Sequence, residues 1–107
     1  MTTVQLRRNE NDITGICVSG HSGYARSGSD IVCAAASVLI TTCANALEST
    51  AQITPVIRTD ERSAMIDVSL PENLSSAQLY DSQIIFQTIL QGFRDIAEQH
   101  PRYLQII

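Results

Sequence analysis

What limits the fold most is a change of hydrophobic period that occurs twice along the chain. Val4 to Leu6 and Asp12 to Val18 are short runs of strand-forming residues parted by the polar cluster Arg7-Arg8-Asn9-Glu10-Asn11, the pattern of a β-hairpin. Ile31, Ala35, Val38/Leu39, Thr42/Cys43 and Ala46/Leu47 then recur at three- and four-residue spacing. This predicts a mostly buried helix from Asp30 to about Thr50, capped by Ser29 or Asp30. A second hairpin is expected where Pro55-Val-Ile-Arg and Ser63 to Leu70 flank Thr59-Asp60-Glu61-Arg62, with Ile66, Val68 and Leu70 alternating onto one face. After Pro71-Glu-Asn, Leu79, Phe86, Ile89/Leu90, Phe93 and Ile96/Ala97 keep helical spacing until His100-Pro101 stops the run, and Tyr103 to Ile107 reads as a last strand. The order β-β-α-β-β-α-β predicts an α+β domain, an antiparallel or mixed sheet with two helices packed on it.

A chain of 107 residues has room for one hydrophobic core, so residues 1–107 are read as one domain. Apolar residues make up 44% and aromatic residues only 5%, so that core must be mostly aliphatic and alanine. Seven basic residues, all Arg, stand against eleven acidic ones for a formal charge of −4. No basic stripe is present, so direct nucleic-acid binding is not expected, and cationic peptides or proteins are the more natural partners. The N-terminal residues lack a charged region followed by an apolar signal core, and no apolar run approaches the roughly 18 residues of a membrane span. The expectation is a cytoplasmic protein with no membrane partner. Three cysteines, at 17, 33 and 43, are an odd number without the close pairs of zinc sites, which favours free thiols with no metal and no cofactor.

The chemistry concentrates between Ser19 and Ser37. The stretch Ser19 to Asp30 holds three of the five glycines and four serines, the composition of a mobile loop. Cys33 falls in the first turn of the predicted helix, where unpaired N–H groups and the helix dipole favour a thiolate. His21 lies just upstream on a loop with enough slack to fold its imidazole over the helix end, and a Cys–His pair at hydrogen-bond reach is what nucleophilic acyl transfer needs. The same helix end has N–H groups to offer an oxyanion. On this pattern alone, a small buried cysteine and an idle loop histidine remain the commoner reading.

The residues themselves go further. Gly-His-Ser-Gly-Tyr-Ala-Arg-Ser-Gly-Ser-Asp-Ile-Val-Cys-Ala-Ala-Ala-Ser, from Gly20 to Ser37, closely resembles the signature of the ribosomal-processing cysteine protease (Prp) family. The match covers Gly20, His21, Tyr24, Gly28, Asp30, Ile31, Val32, Cys33, Ala34, Ala35 and Ser37, and the spacing of His21 to Cys33 agrees. The resemblance implies a homodimeric cytosolic endopeptidase that removes a short N-terminal extension from a large-subunit ribosomal protein, with His21 and Cys33 as catalytic residues. Two positions depart from the commonest pattern: Ser22 stands where Ala is usual, and Ala36 where Val is usual.

Asp30 has two readings, a third member orienting His21 or a helix cap accepting the Cys33 N–H, and the cap comes ahead. Gly20, Ser22, Tyr24 and Gly28 form a candidate substrate-binding loop, with Tyr24 equally suited to wall a groove or to anchor the loop. The whole stretch Ser19 to Ser29 is expected to gate the site, closing over a bound peptide. Ser37, one turn after Cys33, suits small-residue packing, and Arg26 a solvated loop position. Cys43 lies ten residues beyond Cys33, about 15 Å along a helix, so the two cannot share an ion or a disulfide. Two other classes stay in play: a phosphate- or nucleotide-binding module built on the glycine-rich loop, and a non-catalytic ribosome-associated protein. The absence of lysine and of a Gly-Lys-Ser/Thr run counts against the first, and the intact His21 and Cys33 against the second.

Overall fold

The computed structural model describes residues 1–26 and 30–107. The elements run β1 (Thr2–Asn9), β2 (Asp12–Ser19), α1 (Ile31–Ser49), β3 (Val56–Asp60), β4 (Met65–Ser69), α2 (Ser76–Gln99) and β5 (Leu104–Ile106), in the expected order. The five strands form one mixed sheet in the order β3-β4-β2-β1-β5, antiparallel throughout except where β5 joins β1 in parallel. Both helices pack on one face and against each other. That face is apolar because the pleat puts Val4, Val18 and Ile66 in one cross-strand row and Leu6, Ile16 and Val68 in another.

The opposite face carries a charge cluster. Asp67, buried, accepts from Arg7 through both carboxylate oxygens at 2.6 and 3.0 Å and from Arg58 at 3.2 Å. Gly15 gives Arg7 its path, since a Cβ there would stand 2.4 Å from the guanidinium.

The second hairpin turns two residues later than expected, at Glu61–Ala64. The Asp60 carboxylate accepts the Arg62 N–H at 2.9 Å and Ala64 takes a positive φ of 49°, so the local hydrogen bonding closes the turn after β3 has lengthened to Asp60. The α1 face also differs. Cys43 and Leu47 are buried as expected, but Val32, Ala36, Ile40 and Ala44 stand one position on from the rest of the expected set, while Ile31 and Val38 are 56% and 64% exposed. An alanine-rich helix that is apolar nearly all round carries two helical stripes, and periodicity cannot choose between them.

α2 begins at a capping box in which the Ser75 hydroxyl accepts the Gln78 N–H and the Gln78 side chain accepts the Ser75 N–H. It buries Ser82, Phe86, Ile89, Leu90 and Phe93, and closes at His100 before Pro101. Gln83 ties it to the sheet. A bulge in β2 opposite Arg7/Arg8 carries Ile13 beyond the end of its pairing with β4, and the Gln83 amide takes over, accepting the Ile13 N–H at 2.7 Å and donating to its carbonyl at 2.9 Å. Gln83→Ala strands both backbone groups beside a fully buried side chain. It should cost about 1–3 kcal/mol, read as a fall in urea midpoint at unchanged slope.

Candidate active site

Asp30 is the residue from which the site is built. It is the N-cap of α1, extended at φ −81° and ψ 101°, and its Oδ1 accepts the Cys33 N–H at 2.9 Å. Its other oxygen, Oδ2, receives the hydroxyl of Ser22, which is 2% exposed. Burial by itself would push the Asp30 carboxyl up. The hydrogen bonds from Ser22, from Cys33 and from the Ala25 N–H prevail and hold it at about 2.

That depression sets a pH dependence. The folded value lies below the usual carboxylate range near 3.9, so the stabilisation is whole above about pH 4 and is lost as the pH falls through about 2. Asp30→Asn keeps a good cap but cannot titrate. Its urea midpoint should therefore fall less steeply than that of the native chain between about pH 4 and pH 2.

Cys33 follows in the first helical turn, half-buried. Its Sγ accepts the Ser22 N–H at 3.2 Å and donates to the Ser22 Oγ at 3.6 Å. The Cys33 N–H is committed to Asp30, as the cap reading expects, so it is not among the helix-end N–H groups on offer to an oxyanion. Burial pushes Cys43 up to about 12, and burial followed by the charge of Asp67 raises Cys17. Neither ionises readily near neutrality.

The segment bearing His21 is held from several sides. The Gly20 N–H donates to the Ser63 carbonyl at 2.8 Å, and the Met1 amino group donates to the His21 carbonyl at 2.7 Å. Gly20, at φ 82°, has the Met1 carbonyl oxygen 2.6 Å from where a Cβ would stand, so only glycine fits there. The Tyr24 N–H donates to the Ser22 Oγ at 3.2 Å. Its ring packs edge-on against His100 and Tyr103, with centroids 5.4 and 5.1 Å away. Tyr24 thus stands as an anchor of the loop and is not among the groove's walls. Arg26 is exposed. Gly28, and with it part of the expected gate, lies outside the described residues.

His21 and Cys33 open onto one groove of about 720 Å³, which Gly20, Asp30 and Ser37 also line. The imidazole is exposed and makes no hydrogen bond to Cys33, while the next side chain, Ser22, is buried against Asp30 and Cys33. Val18, Ile40, Met65 and Ile66 make the groove partly apolar, and Asp60 and Glu61 add acidic groups to its wall. The start of α1, which a phosphate-binding module would offer to its ligand, is filled by the chain's own Asp30 carboxylate. Among the described residues no group of three or more His, Cys, Asp or Glu could hold a metal ion.

A thiol in the first turn of a helix, beside a peptide-sized groove that also holds a histidine, belongs to the class of cysteine peptidases. A family model described as "Cysteine protease Prp" matches residues 1–105. The ribosomal processing cysteine protease Prp of Staphylococcus aureus is 30% identical over 108 residues, covering 99% of this chain and 97% of that protein. Two solved structures share the fold with a TM-score of 0.85. One is the S. aureus essential ribosomal processing protease Prp with a covalently linked product peptide, 25% identical with 99% and 97% of the two chains covered. The other is a Streptococcus mutans protein, 28% identical with 99% and 91% covered. The chain belongs to the Prp family of cysteine proteases and is a cysteine-type peptidase.

Proposed function

We propose that this chain is an endopeptidase that removes a short N-terminal extension from a large-subunit ribosomal protein, with Cys33 as nucleophile and His21 as its base. The observation that carries this reading is the Cys33 Sγ at the start of α1, receiving a backbone N–H and opening onto the groove shared with His21. In the proposed cycle the imidazole takes the thiol proton and Sγ attacks the scissile carbonyl carbon. The C–N bond then breaks as the imidazolium returns that proton to the leaving amine. Water, deprotonated by the same imidazole, hydrolyses the thioester and frees Sγ.

The groove supports the substrate class. Its partly apolar walls suit an extended segment with apolar side chains, while Asp60 and Glu61 suit the cationic character of a ribosomal protein. The relative's name, a ribosomal processing protease, points the same way. We place the enzyme in the cytoplasm, where ribosomal proteins are made, and as a homodimer. The test is to mix the pure protein with the extended ribosomal protein of the same cell and follow the products by mass spectrometry. One specific cut near the N-terminus supports the reading, and an intact substrate or cuts scattered along the chain overturn it. Sedimentation velocity decides the dimer.

A further inference from the structure

Asp30 poses a problem for the nucleophile beside it. A capping carboxylate stabilises α1, yet it puts a full negative charge at the helix end whose field would otherwise favour a thiolate. That carboxylate also accepts from the Cys33 side chain, a contact that holds the proton on sulfur unless other donors compete for it. We propose that Ser22 is a positioning residue for Cys33, whose hydroxyl engages the Asp30 carboxylate and so lets a capping anion stand beside a cysteine that must ionise. The proposal rests on the peptidase reading above and adds a residue that it does not use.

Four contacts carry it. The Ser22 hydroxyl donates to Asp30 Oδ2 while the Cys33 N–H occupies Oδ1, so both carboxylate oxygens are already accepting. A carboxylate outbids sulfur for that hydroxyl proton, because a charged acceptor makes the stronger hydrogen bond. The Ser22 Oγ also accepts the Tyr24 N–H at 3.2 Å, which fixes the turn following His21. With the turn fixed, the Ser22 N–H stays aimed at Sγ, 3.2 Å away, as a donor that favours the thiolate. Ser22 is buried between the segments that carry His21 and Cys33, with 2% of its surface exposed, so this hydroxyl is not a surface substitution. Alanine, usual at this position in the family's pattern, can make none of the side-chain contacts.

The test uses a Cys17→Ala/Cys43→Ala background, which leaves Cys33 as the one thiol, and two readouts: iodoacetamide alkylation at pH 7 and cleavage of the extended ribosomal protein. Ser22→Ala should slow alkylation about fivefold and lower kcat by a similar factor with KM within about twofold, a split that general loosening of the groove would not produce. Ser22→Thr, which keeps the hydroxyl, should recover most of the loss. The decisive arm is Asp30→Asn. Once the carboxylate's charge is gone, adding Ser22→Ala should change alkylation less than about twofold relative to Asp30→Asn alone. A native alkylation rate in Ser22→Ala, or the same slowing with and without the Asp30 charge, overturns the proposal. If the native chain leaves the ribosomal protein uncut, the peptidase reading fails, while the alkylation series still decides the role of Ser22.

Discussion

Cys33→Ala and Cys33→Ser are each expected to abolish cleavage, with a loss of about a thousandfold or more, while the fold and the groove remain. Cys33 is half-buried at the start of α1 and outside the buried face of that helix, so a small replacement there removes little packing. Its N–H bond to Asp30 is a backbone contact and survives the change. Cys17→Ala and Cys43→Ala should retain activity. Cys17 lies on the outer face of the sheet, paired across strands with Asp67, and Cys43 is wholly enclosed in the core. Cys43→Ala should cost stability through its cavity, but not turnover. Peptide cleavage assayed beside thermal melting separates the cases: loss of activity in either of these two folded variants would assign the nucleophile elsewhere.

His21→Ala should lower kcat by about 10²–10⁴-fold, with substrate binding largely kept, since the ring's role in the proposed cycle is to move one proton. Stability should be unchanged, because the imidazole is exposed and the loop contact of His21 is made by its backbone carbonyl. The ring must approach Sγ for this to work. Glycines at positive φ, 82° at Gly20 and 75° at Gly23, flank His21 and Ser22, and Gly23 has open space where a side chain would stand. A His21→Ala enzyme that cuts the extended ribosomal protein at the native rate would remove His21 from the mechanism, whatever the result for Cys33.

Much of this architecture is legible in the chain because the signals are local. Alternation of apolar residues marks β1, β2 and β4, and the three- and four-residue spacing marks both helices. Pro101 marks the end of α2, whose start is closed by the Ser75–Gln78 capping box. The position of Cys33 at a helix start follows from Asp30 three residues earlier, a cap whose chemistry needs no distant partner. The second turn falls two residues beyond its expected place, since Asp60 closes it through a side-chain bond to the backbone that strand composition does not report.

By itself the sequence determined the order of elements, the α+β class, and a cysteine at the head of a helix with a histidine on the loop before it. Each of these follows from spacing and residue type within one segment. Only the tertiary structure decided which stripe of α1 is buried, because both stripes are apolar and the sheet and α2 select one. The same holds for Gln83 on Ile13 and Arg7 on Asp67, partners 70 and 60 residues apart. It holds above all for Ser22. Its hydroxyl matters because folding buries it against Asp30 and Cys33, eight and eleven residues away, and a serine in a glycine-rich loop carries no local mark of that environment.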